Sequence, residues 1–132
     1  MHDAMVSLVV FLHAYTWNGA LACDYFHMYQ SVENNGHLLL CPDGRTDDLG
    51  FRFWSATDAC CNRLDVGESD DDVNYLIGLI DEISLYYNIH PGRVYLLGHS
   101  NGGYMSYRLA CDASDRITAL ASLAGATFNK PA

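Results

Sequence analysis

Ser100 stands between two glycines in Gly98-His99-Ser100-Asn101-Gly102, with an apolar β-prone run, Val94 to Leu97, before it and a helix-competent run, Tyr104 to Cys111, after it. Strand, tight turn with a serine at its tip, then helix is the geometry that presents a nucleophile. Such a turn is crowded, so the positions two before and two after the serine must be small, and Gly98 and Gly102 occupy them. The hydroxyl is then lifted clear of the sheet at the start of a helix, whose open N–H groups favour developing negative charge. The chemistry is attack on a carbonyl: the serine adds, a base takes its proton, and backbone N–H groups hold the oxyanion. A Gly/Ser/Asn cluster between apolar segments is also the composition of an ordinary turn. The flanking strand and helix are what separate the two readings.

The elements that must position this turn can be read from periodicity. Val6 to Leu12 is a near-continuous apolar run, as expected of a parallel strand covered on both faces. After a loop from His13 to Gly19, the spacing predicts a helix over Ala20 to Glu33, with Leu21, Tyr25, Met28 and Val32 on its apolar stripe. Asn34-Asn35-Gly36 stops it, and His37 to Cys41 reads as a second buried strand. Residues 43 to 68 form a long connection carrying Phe51, Phe53 and Trp54, which predicts an ordered loop near a ligand. Ser69 and Asp70 can cap a helix running to about Tyr87, with Val73, Leu76, Ile77, Ile80 and Ile83 facing the core. Ile89-His90-Pro91-Gly92 turns the chain into the strand Arg93 to Leu97, and Ile117 to Ala124 is a fourth apolar strand. Alternating strands and helices predict an α/β fold with a parallel sheet and right-handed crossovers.

At 132 residues the chain is one domain by length, without repeats or a linker. Seven basic against 16 acidic residues give a net charge of −9, which argues against nucleic acid or an anionic membrane surface as partner. Asp65, Glu68, Asp70, Asp71 and Asp72 read as a solvated helix entrance, where carboxylates complement the dipole. Asp43, Asp47 and Asp48 do not match a calcium-loop spacing, so neither a metal nor a cofactor is predicted. The longest apolar run, Val6 to Leu12, is far short of the roughly 20 residues of a membrane span. Met1 to Ala14 lacks the basic start of a signal peptide. Five cysteines, Cys23, Cys41, Cys60, Cys61 and Cys111, include no Cys-x-x-Cys pair. Adjacent Cys60 and Cys61 are poorly placed to bond each other by ordinary disulfide geometry, so each looks to a distant partner or stays reduced.

An ordered set of motifs goes further. Val-Val-Phe-Leu-His near the start, Cys-Pro-Asp-Gly at 41 to 44, Arg-Phe-Trp at 52 to 54 and Ala-Cys-Cys at 59 to 61 form its first half. Asp-Asp-Val at 71 to 73, Arg-Val-Tyr at 93 to 95, Gly-His-Ser-Asn-Gly-Gly and Arg-Leu-Ala-Cys at 108 to 111 complete it. The chain resembles the polyhydroxybutyrate depolymerase and feruloyl esterase family of secreted α/β-hydrolases over essentially its whole length. The resemblance implies an esterase with a Ser-Asp-His triad, Ser100 as nucleophile, and the backbone N–H groups of Asn101 and Tyr15 as oxyanion hole. It implies Trp54, Tyr104, His13 and His99 around a polyester or cell-wall phenolic ester, a bridge from Cys111 to Cys60 or Cys61, and secretion as the setting. It also implies the strand order 37–41, 6–12, 93–97, 117–124, with open edges prone to self-association.

Two departures from the family pattern stand out. The family has His-Gly where this chain has His13-Ala14, and alanine costs about 1–2 kcal/mol if position 14 is left-handed. The triad order in this fold is Ser, then acid, then His. After Ser100 there is no histidine, and the acids are Asp112 and Asp115. His13 is a poor candidate for the base, since geometry must bring it within hydrogen-bond reach. Residues 1–132 are therefore expected to be a single incomplete α/β-hydrolase domain with little turnover. A non-catalytic acyl-binding module, or a peptidase or acyltransferase on the same scaffold, are the alternatives.

Overall fold

The computed structural model describes residues 4–61 and 71–127. The first strand, β1 (Val6–Leu12), is buried on both faces because it lies inside a sheet, parallel to a neighbour on each side. Its alternating side chains feed two cores. Leu8, Val10 and Leu12 pack on one face with Leu76, Ile80, Met105 and Leu109, whereas Val9 and Phe11 meet Ala22, Cys23, Met28 and Val32 on the other.

The predicted helix at 20–33 is two helices, α1 (Gly19–Tyr25) and α2 (Met28–Asn35). His27, in the left-handed region at φ 54°, breaks them. The break changes which residues face the sheet. Ala22 and Cys23 are buried in α1, while Leu21 and Tyr25 of the expected stripe are exposed. Small residues let α1 approach β1, and a disulfide from Cys23 to Cys41, just past the end of β2 (His37–Leu40), staples it there.

The long connection begins with a two-stranded hairpin, β3 (Arg45–Thr46) and β4 (Arg52–Phe53), which delivers Phe53 and Trp54 into the interior. Asp47 closes its tip by accepting from the N–H groups of Leu49 and Phe51, both at 2.9 Å. Helix α3 (Asp72–Tyr86) is capped by Asp71, whose carboxylate accepts from Asn74 N–H at 2.9 Å. The expected caps, Ser69 and Asp70, and the acids Asp65 and Glu68, lie outside the described residues.

Strand β5 (Ile89–His99) starts earlier than expected because Pro91-Gly92 is absorbed as a bulge. Val6 pairs with Ile89, then Leu8 with Val94. Helix α4 (Asn101–Asp112) follows, then β6 (Ala119–Leu123). The four long strands are parallel in the order β2-β1-β5-β6, as the resemblance implied. Among the described residues β2 and β6 are the edges. On the face that α1 and α2 leave open, Phe11, Phe26, Met28, Leu97, Ala121 and Leu123 line an apolar groove of about 370 Å³. Among the described residues no helix is long and apolar enough to cross a membrane.

The cysteines depart from the expected pairing. Cys60 is bonded to its neighbour Cys61, and Cys111 is an exposed free thiol on the last turn of α4. The expected bridge from Cys111 is therefore not formed. A turn closed between Thr57 and Cys60 brings the adjacent pair together, with Cys61 at φ 69°.

Candidate active site

Ser100 sits between β5 and α4 with φ 52° and ψ −115°, a conformation that side-chain-bearing residues avoid and that needs support from its surroundings. Two hydrogen bonds supply it. Ser100 N–H donates to Leu123 O at 2.8 Å, tying the turn to β6, and Ser100 O accepts from Tyr104 N–H at 3.1 Å. The flanking glycines are sterically obligatory. A Cβ on Gly98 would lie 2.2 Å from Gly102 O, and one on Gly102 would lie 2.0 Å from Leu12 O. The start of α4 is thus pressed against the end of β1, which brings Asn101 to the loop carrying Tyr15.

Asn101 is fully buried, and its side chain is already spent. Its Oδ1 accepts from Trp54 N–H at 2.6 Å, and its Nδ2 donates to Trp54 O at 3.0 Å. The amide group pairs with a backbone unit as a neighbouring strand would. Its backbone N–H lies in the first turn of α4, where no intrahelical acceptor exists.

Trp54, expected at the substrate, is instead fully buried. Its indole N–H donates to His13 O at 3.1 Å, and its ring lies 5.1 Å from that of His13. His13 is buried as well, bonded through Nδ1 to Ala14 O at 2.8 Å and through Nε2 to Gly44 N–H at 2.9 Å. Burial lowers its pKa from the ordinary 6.5, helped by Arg52 and opposed by the Ala14 bond and Asp43. Both of its nitrogens are occupied, so it is neither a substrate contact nor a base for Ser100. Among the described residues no histidine hydrogen-bonds to Ser100.

Ala14 is not left-handed; the positive φ in this loop falls on Thr16, at 71°. The anticipated alanine penalty therefore does not arise. The loop turns through a Trp17 N–H bond to Ala14 O at 3.1 Å, and Thr16 N–H donates to Arg52 O at 3.0 Å. Tyr15 is half-buried and its hydroxyl donates to Asp47.

His99 points to the other face of the sheet, into Trp17 and Phe26 at ring separations of 5.5 and 5.2 Å. Tyr104 is half-buried against the main core. Asp72, read from sequence as solvated, is buried and accepts from Ser55 N–H at 2.7 Å, while Arg108 donates to Ser55 O. The hint was three consecutive acids, Asp70, Asp71 and Asp72, at a helix start with a single cap position, which Asp71 takes. Asp43 likewise accepts from Gly19 N–H at 2.8 Å and lies 3.6 Å from Arg52. Beside it a pocket of about 290 Å³ is lined by Gly44, Arg45, Asp71, Asp72 and Tyr75.

A parallel sheet wrapped by helices, with this elbow at the carboxyl end of its third strand in space, defines an α/β-hydrolase fold. Solved structures agree. A point variant of Arabidopsis thaliana SOBER1 superposes with a TM-score of 0.68 over 91% of this chain and 61% of its own, at 18% identity. YahD, solved with malic acid, gives 0.65 over 96% and 62%, at 12% identity. In sequence, the chain is similar to a protein of Nocardia uniformis subsp. tsuyamanensis named "Putative esterase NocK", 35% identical over 65 residues. That match covers 49% of this chain and 19% of the relative, and the chain spans somewhat less than two thirds of either solved structure. No protein-family model matches it.

Proposed function

We propose that this chain carries the nucleophile and oxyanion hole of a serine hydrolase that cleaves carboxylic esters of the polyester or cell-wall phenolic type. The observation that carries the reading is the Ser100 backbone, held at φ 52° and ψ −115° between a buried strand and the start of a 12-residue helix. Ser100 Oγ attacks the ester carbonyl, and the N–H groups of Asn101 and Tyr15 stabilise the resulting oxyanion. The likeness to an esterase supports the bond type. The motif resemblance is what favours polyester or feruloyl substrates and a secreted setting.

His13 is committed through both ring nitrogens and His99 packs against Trp17 and Phe26 on the other face of the sheet, so neither serves as the base for Ser100. The open edge of β6 adds a tendency to self-associate, which sedimentation would register as species heavier than the monomer.

The test is fluorophosphonate labelling of the protein that contains this segment, with peptide mapping and Ser100→Ala as control. Hydrolysis of p-nitrophenyl, feruloyl and hydroxybutyrate esters is followed alongside. Labelling at Ser100, with ester turnover abolished in the variant, is the expected result. A folded protein that neither labels nor hydrolyses any of these esters overturns the reading.

A further inference from the structure

We propose that His13 is a positioning residue that orients the Ala14–Tyr15 peptide, and that Trp54 couples it to Asn101, so one buried relay aligns both oxyanion donors. The inference rests on the esterase reading for what the donors do, but not for the relay itself.

The hydrogen bonds fix the state of the imidazole. Ala14 O can only accept, so Nδ1 carries a proton; Gly44 N–H can only donate, so Nε2 does not. His13 is thus a neutral imidazole in one tautomer. Its Nδ1–H bond falls on the carbonyl of the peptide unit whose N–H belongs to Tyr15. In a trans peptide the C=O and N–H point in opposite directions, so pinning the oxygen sets the direction of the Tyr15 N–H. Trp17 N–H binds the same oxygen at 3.1 Å, which leaves that carbonyl little freedom to flip.

The second half of the relay runs through the indole. Trp54 Nε1–H holds His13 O, and the Trp54 backbone is held on both sides by the Asn101 side chain. Asn101 and Tyr15 lie on different elements, and every link between them is buried. Gly44 completes the anchor: a Cβ there would lie 3.3 Å from His13 Nε2 and 2.3 Å from Phe53 O, so the backbone can approach the ring only without one.

The test has two arms on the protein that contains this segment. Long-range 1H–15N correlation NMR should show His13 as the Nδ1–H tautomer, with its protonation midpoint below the ordinary 6.5. An Nε2–H tautomer, or an imidazolium forming near pH 6.5, overturns the relay whatever the protein hydrolyses. In the kinetic arm, His13→Leu removes the donor, and His13→Asn keeps an N–H where Nδ1 was. With both variants folded, His13→Leu should lower kcat about 10- to 100-fold at near-constant KM, and His13→Asn should recover most of it. A folded His13→Leu with wild-type kcat, or His13→Asn as impaired as His13→Leu, refutes the positioning role. Absent labelling at Ser100 would instead sink the esterase reading, leaving the tautomer result to stand or fall alone.

Discussion

Replacing Asn101 by alanine isolates the contact that holds the loop to the elbow. The side chain makes two hydrogen bonds with the Trp54 backbone, at 2.6 and 3.0 Å, where neither residue is reached by solvent. Truncation leaves a buried N–H and a buried C=O unpaired, each costing about 1–3 kcal/mol, hence roughly 2–6 kcal/mol together. A single water entering the vacated space would restore part of this, so about 3 kcal/mol is the working figure. For a small domain with a urea slope of about 1.5 kcal/mol/M, the unfolding midpoint then falls by about 2 M with the slope unchanged. That is a large fraction of the roughly 5–15 kcal/mol that holds a domain together. Equilibrium urea unfolding followed by tryptophan fluorescence is the assay, and Trp54 itself reports on the change. A midpoint within about 0.3 M of wild type would refute the bridge as a structural support.

Ser100→Gly should raise stability by about 1–2 kcal/mol while abolishing labelling, because glycine adopts the elbow's backbone freely; an unchanged or lower melting temperature counts against strain at this position. Gly102→Ala should destabilise by at least about 3 kcal/mol, since the new Cβ meets Leu12 O at 2.0 Å and backbone must move, and a soluble variant melting like wild type would contradict that packing. Replacing Cys23 and Cys41 by serine should cost about 3 kcal/mol for a separation of 18 residues, read as a lower unfolding midpoint under non-reducing conditions. His13 gives a pH signature. Its folded pKa lies below the unfolded 6.5, so the unfolded chain binds the extra proton first, and stability is lost as pH falls below about 6.5 until the folded pKa is reached. The slope approaches about 1.4 kcal/mol per pH unit, with Asp43 and Arg52 as the charged neighbours, and it should vanish in His13→Asn.

The sheet and the elbow were legible because both rest on strong local signals: apolar runs too continuous for anything but buried strands, and glycines at a spacing that a crowded turn demands. The strand order came with the resemblance. What could not be read was how side chains far apart in sequence share work. Leu21 and Tyr25 fit a helical stripe, yet a left-handed His27 and the Cys23–Cys41 bond turn Ala22 and Cys23 to the core instead. Periodicity assumes an unbroken helix and has no term for a staple. Trp54 and His13 have the chemistry of substrate contacts, and only three-dimensional burial shows that both are consumed in holding backbone. Asp72 illustrates the same limit, since its partner, the Ser55 N–H, lies 17 residues away in sequence.

The bond from Ser100 N–H to Leu123 O makes the Ser100 turn hang from β6, an edge strand of the sheet among the described residues. Thermal fraying at that margin is therefore transmitted to the serine, and amide exchange at Ser100 should track that of β6 and not that of the interior strand β1. A further strand laid along β6 would act like a splint, slowing exchange at Ser100 without touching the serine itself.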